Sequence, residues 1–231
     1  MADYGSALDA AFTRRLALVS HNIRGNTQTV VDDGIADGLW EQEGNEQISQ
    51  ERPGGSVTLN PRAADLQAIC MCIFGGAAFS TNVKLPGSIC DYLQWGHADP
   101  FGNKVYRYDN GVTTTAVFSA SDTSTLLNLV WSVEFQSRQI IADMTDTDNW
   151  PVLTLSNQQP FVFRQGLLKF ASTSVKMKDF NLTVDNLIQA DDFFKSLTRG
   201  EMPQGGQQFT LTHSSPWDVG TEADRIGTAQ D

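Results

Sequence analysis

The stretch GLLKFASTSVKMKDFNLTVDNLI, residues Gly166–Ile188, decides the fold class. Val175 and Met177 carry apolar side chains on odd positions, with Lys176 and Lys178 opposite. Beyond Lys178-Asp179 the phase flips: Phe180, Leu182 and Val184 are apolar, while Asn181, Thr183 and Asp185 are polar. Strand side chains alternate faces with period two, so a one-residue slip in phase demands a bulge or bend. The pattern predicts one long strand whose inside face changes halfway, shared between two sheets or bent around a barrel. It closes on the turn pair Asp185-Asn186. The fold class is mainly β, a sandwich or barrel-forming subunit.

Neighbouring segments agree. Leu127, Leu129, Trp131, Val133 and Phe135 share one face of a strand, against Asn128, Ser132, Glu134 and Gln136. Only Val130 breaks the alternation, so one side of this strand is wet and antiparallel pairing is expected. Gly55–Leu59 reads as a short strand feeding one flanking helix over about 61–74. Asn60 suits its N-cap and Pro61 its first turn. Leu66, Ile69, Cys70 and Ile73 form its apolar stripe, and Gly75-Gly76 stops it. Lys104–Tyr108 and Val112–Ser119 flank Asp109-Asn110-Gly111 and predict a hairpin. Two short strands are expected around Gln165-Gly166 and a last strand at Phe209 and Leu211, with a short helix over Asp191–Leu197. By spans, 1–29 reads as an extension or arm, 30–215 as the β domain with long loops, and 216–231 as a polar tail.

The chain has 231 residues, 40% of them hydrophobic and 10% aromatic, enough for a real core. Met1–Ser20 carries Asp3, Asp9, Arg14 and Arg15, so no secretory leader is expected, and no apolar run is long enough for a membrane span. A soluble protein made in the cytoplasm is the expectation. Its net charge of −11 argues against a surface that wraps nucleic acid. Charge is also segregated. Asp32, Asp33, Asp37, Glu41, Glu43, Glu46 and Glu51 occur with no Lys or Arg among residues 32–51. Asn149–Lys178 reverses this, with Arg164, Lys169, Lys176 and Lys178 and no acid. The acidic block has only Leu39, Trp40 and Ile48 to bury, so it predicts a long hairpin or loop.

Chemistry is thin. His21, His97 and His213 are scattered, and no nucleophile, zinc or phosphate-loop motif is present. Cys70, Cys72, Cys90 and His97 could be drawn as a metal set, yet Cys70 and Cys72 fall two apart on a helix and diverge. Asp143, Asp146 and Asp148 have the wrong offsets for a calcium loop. No catalytic residue, metal or cofactor is expected.

The order of elements is the stronger signal. An acidic loop leads to GGSVTL, then NPRAADLQAICMCIFGG, a turn around YRYDNG, the strand LLNLVWSVEFQSR, the stretch FRQGLLKFASTSVKMKDFNLTVDNLI and a closing QQFTLTHSSP. Over residues 30–215 this resembles the tail tube proteins (major tail proteins) of long-tailed bacteriophages and of related gene transfer agents. The resemblance implies a β-sandwich with a flanking helix, assembled as hexameric rings that stack into a tube conducting DNA. It further implies assembly in the bacterial host cytoplasm and residence in the virion tail. The partners would be copies of itself, the tape measure, tail tip and tail terminator proteins, and DNA that passes without specific binding; no membrane is involved.

Two residue sets follow as expectations. Trp40, Glu41, Glu43, Glu46 and Ile48 would meet Arg164, Lys169, Lys176 and Lys178 between rings. Asn128, Ser132, Glu134 and Gln136 would face the channel, where negative or short side chains let DNA slide. The alternatives are another virion β-protein, for tail completion or head decoration, and a soluble carbohydrate-binding module or hydrolase using the five tryptophans. Axial polymerisation separates the first from the tube, and exposed aromatics would mark the second.

Overall fold

A computed structural model describes residues 14–31, 35–36, 39–40, 46–75, 92–99, 101–122, 126–142, 153, 155–163, 168–170, 173–175, 177–188, 202 and 205–215. The described residues are mainly β with one helix, the fold class expected. Its centre is an antiparallel path of six strands: β1 (Leu18–His21), β6 (Gly54–Leu59), β9 (Asn128–Glu134), β8 (Lys104–Ser121), β13 (Asp179–Asp185) and β14 (Gln208–Ser214). β7 (Leu93–Asp99) and β10 (Ser137–Ala142) join this network by pairing with β8 alone. The sheet does not close on itself.

β8 is the long strand that serves two layers. Its first half pairs with β7 and β10, and its second half, from Val112, with β9 and β13. The sequence instead suggested a hairpin turning at Asp109-Asn110-Gly111, and the structure corrects this. Asp109 is buried, not a solvated turn residue. Its carboxylate accepts from Gln94 Nε2 at 2.8 Å and Gln139 Nε2 at 2.6 Å, and Arg107 Nε lies 3.0 Å away. Strands on both sides thus hold the segment extended, and only a local bend remains, with Asn110 at φ 50. Gly111 makes the bend possible, because a Cβ there would lie 2.5 Å from the ring of the fully buried Phe135. Gly111→Ala is expected to cost about 2 kcal/mol by overpacking, roughly 4–8 °C in melting temperature for a chain of this size. A thermal melt of the variant checks it.

The phase flip in Gly166–Ile188 is likewise resolved differently. The segment is not one strand: β12 (Thr173–Val175) pairs with β11 (Leu168–Phe170) in a separate hairpin, and β13 starts afresh at Asp179. At the break, Lys178 donates its N–H to the Ser214 carbonyl and its own carbonyl accepts from Asp122 N–H. The slip becomes a change of sheet, not a bulge in a continuous ladder.

The core lies on one face of the six-strand path, under the β7–β8–β10 layer and the helix. Val57, Trp131, Ala116 and Val184 form one row across it, and Leu59, Leu129 and Phe118 the next. Burying such a Val, Leu or Phe side chain contributes about 1.5–3 kcal/mol. β9 alternates as read, with Leu129, Trp131 and Val133 buried. Helix α1 spans Ala63–Phe74, two residues later than the sequence suggested. Asn60 and Pro61 precede it, and the N-cap Arg62 makes no side-chain cap bond. Gln158 Oε1 substitutes, accepting from Ala64 N–H at 2.7 Å. Gly75, at φ 63, closes the other end, its N–H reaching Met71 O.

The C-terminal carbonyls of α1 meet a buried polar junction. Thr113 Oγ1 donates to Cys72 O at 2.8 Å and accepts from Trp131 Nε1 at 2.8 Å. Asn186 Nδ2 donates to Ile73 O at 3.1 Å and to Thr113 O at 3.0 Å, while its Oδ1 accepts from Gln207 Nε2 at 2.9 Å. Asn186 read as a turn residue. It does leave β13, but fully buried, as the clamp between helix and sheet.

Part of the span read as an N-terminal arm belongs to the sheet. β1 is an edge strand, and Ile23 is buried in the core. The acidic block was read as a hairpin or loop, and its flanks form a hairpin: β2 (Thr27–Val31) pairs with β5 (Glu46–Glu51), and β3 (Ile35–Ala36) with β4 (Leu39–Trp40). Arg24 and Gly54 exchange backbone bonds between the β1–β6 and β2–β5 pairs, so the two form one ribbon leaving the sheet edge. Of the strands expected around Gln165-Gly166, β11 is present, whereas Pro160 and Val162 make only isolated bridges. The short helix over 191–197, residues 1–13 and the tail from 216 lie outside the described residues.

Candidate functional site

Among the described residues, neither edge strand of the six-strand path has a second partner. β14 pairs with β13 over seven residues, Asp179↔Ser214 to Asp185↔Gln208, and with nothing else among the described residues. Every residue of β14 is exposed. Its apolar residues continue the core rows, since Phe209 is in register with Val184 and Leu211 with Leu182, yet they remain 44% and 42% exposed. Phe209 gains one neighbour from the helix, Phe74, with ring centroids 6.1 Å apart. At the other edge β1 pairs, among the described residues, only with β6, and Val19 is 62% exposed. A bare edge with apolar side chains on the core side is a template for another strand.

The parity of the path matters. Six strands in strict alternation make β1 and β14 point in opposite directions. Copies placed edge to edge by rotation would therefore join β14 to β1 antiparallel, in the pairing used throughout the sheet.

The opposite face of the same sheet is polar and aligned in rows. Ser56, Ser132, Thr115, Asp185 and Gln208 form one row; Asn128, Ser119, Asn181 and Thr212 form another. Thr58, Val130, Val117, Thr183 and Thr210 lie between them. Carboxylates enter at Glu134, Asp179 and Asp185, and these strands bring no Lys or Arg to this face. Three of the four residues expected at a channel, Asn128, Ser132 and Glu134, thus stand together on it. Gln136 does not join them: it lies beyond the end of β9, and its Oε1 accepts from Asn110 Nδ2 at 2.7 Å.

The residues expected between rings are less gathered. Glu41, Glu43, Arg164 and Lys176 lie outside the described residues, as do the side chains of Trp40, Glu46, Ile48 and Lys169, although those four sit in strands β4, β5 and β11. Lys178 is exposed at the start of β13. The base of the ribbon, however, is well fixed. Arg138 of β10 lies 3.0 Å from Glu51 and 5.4 Å from the centre of the Tyr106 ring, with its guanidinium close over Gly25.

Other clusters add little chemistry. His21 and His97 meet edge to face, centroids 4.7 Å apart; burial lowers the His97 pKa, His21 lowers it further and Asp99 opposes both. Among the described residues no three His, Cys, Asp or Glu side chains are grouped to hold a metal. Cys70 is buried and Cys72 half-buried on α1; Cys90 and the run Asp143 to Asp148 lie outside the described residues. Of the tryptophans, Trp131 is core and Trp95 packs against the core, so neither presents a sugar platform. Sequence reading missed both sheet edges, because the residue pattern of a strand does not reveal which neighbour it lacks. No protein-family model matches this chain, and no curated protein matches it.

Proposed function

We propose that this protein is a structural subunit that assembles edge to edge into rings, stacked as a tail tube whose channel passes DNA. The observation that carries the reading is the six-strand path whose two edge strands have no second partner among the described residues and suit antiparallel pairing with each other. Joining β14 of one copy to β1 of the next removes both edges and covers Phe209 and Leu211, as barrel closure does within one chain. The polar face supports the channel assignment. A wall of Ser, Thr and Asn with a few carboxylates offers phosphate no cation, so passing DNA releases no counterions and is not held. The order of elements resembles the tail tube family in the same sense.

Sedimentation of the purified protein over rising concentration tests the assembly, with rings or tubes expected to appear. For the channel, Ser132→Lys combined with Glu134→Lys should leave fold and assembly intact while impairing DNA delivery by particles carrying the variant. The impairment should ease as salt rises, since each added Lys creates phosphate contacts weakened by counterions. Unchanged delivery would put this face on the outside of the ring.

A further inference from the structure

We propose that His21 and His97 form a two-imidazole site for a divalent late first-row metal ion, copper(II) or nickel(II), which ties edge strand β1 to the overlying β7–β8–β10 layer. The site stands apart from the tube reading. The chain has three histidines, and the fold brings two of them into contact from strands that are not paired with each other. His21 is in register with the fully buried Val57, so it points to the core side of the sheet, at its edge. His97 is in register with Tyr106, which packs against the core, so it points toward the sheet from the layer above. Each is set by an antiparallel ladder, β1 on β6 and β7 on β8, and the two rings meet at a fixed place. His21 is exposed, which leaves the pair open to an ion from solvent.

The separation is that of two ligands on one ion. With metal–nitrogen bonds of about 2.0–2.1 Å and about 1.1 Å from nitrogen to ring centre, two imidazoles on one ion have centres about 4.5 Å apart at a right angle and about 5.1 Å apart at a tetrahedral one. The His21 and His97 centres are 4.7 Å apart, with an interplanar angle of 66°. The right-angled arrangement is the nearer, and it belongs to the tetragonal nitrogen and oxygen coordination of copper(II) and nickel(II). Histidine χ2 is a broad torsion, so turning one nitrogen of each ring toward a shared ion needs no change of backbone. Water completes the coordination, because no third His, Cys, Asp or Glu is grouped with the pair among the described residues. Asp99 adds attraction, since it shares the face of His97 two residues along β7 and its negative charge is felt at that ring. Lys104, across from Asp99, opposes this, but it is exposed and screened by solvent.

The test is titration of the full chain with copper(II) and nickel(II) chloride at neutral pH. One ion per chain is expected, with copper held more tightly than nickel or zinc. His21→Gln and His97→Gln, each leaving one imidazole, should weaken binding at least about tenfold, whereas His213→Gln, on β14, should leave it unchanged. Saturating nickel should raise the melting temperature of the parent and not that of His21→Gln, since only the parent holds the ion between two strands. The copper(II) electron paramagnetic resonance spectrum of the parent alone should show two imidazole nitrogens on one ion. A single imidazole nitrogen in that spectrum, binding that survives both substitutions, a parent melting temperature that nickel does not move, or no binding up to about 1 mM copper would each overturn the site.

Discussion

Proline placed singly along Phe209–Thr212 is expected to abolish assembly at alternate positions and to unfold the edge at the others. Successive N–H groups of β14 point in turn toward β13 and toward the open side. A proline whose missing N–H faced the open side leaves the β13 ladder whole, so the monomer should melt within about 1 °C of the parent while rings vanish. A proline facing β13 removes a ladder bond and lowers stability directly. The two-residue periodicity is the signature. Assembly that survives all four substitutions would mean β14 is not the joint, whatever the tube is made of.

The second large effect is in the clamp between helix and sheet. Asn186→Leu is expected to cost about 3 kcal/mol, or roughly 6–12 °C in melting temperature. The substitution removes the Asn186 amide's bonds to Thr113 O, Ile73 O and the Gln207 amide. Unsatisfied buried polar groups carry the full cost of lost hydration, which no packing gain from Leu offsets. Thr210→Ala, on an exposed edge, is the control and should stay within about 0.5 kcal/mol. A loss below about 1 kcal/mol for Asn186→Leu would show that apolar packing of Ile69 and Ile73, not this junction, seats the helix.

Asn186 also marks where sequence reading stops. Period-two and period-3.6 patterns reveal strands and helices, and they placed β6, β9, α1 and β14 close to where they lie. They failed where local composition and tertiary surroundings disagree. Asp109-Asn110-Gly111 has the composition of a turn, but side chains of Gln94, Arg107 and Gln139, from β7, β8 and β10, satisfy its carboxylate and keep the strand extended. Asp185-Asn186 has the same composition, and one member is in the core. In Gly166–Ile188 the phase slip was visible, whereas its resolution into two sheets depends on β11 and on Ser214, which lie outside that local pattern. The polar face could be read on β9 alone. That Thr115, Ser119, Asn181, Asp185 and Thr212 line up with it requires the register across four strands.

The most direct test of the central claim is a negative-stain image of the concentrated parent protein, taken alongside the β14 proline variants. Closed rings with a central hole, stacking into tubes in the parent and missing from the open-edge prolines, are the predicted result. A field of single, unassociated particles at every concentration, with a sedimentation coefficient fixed at that of the monomer, would contradict it.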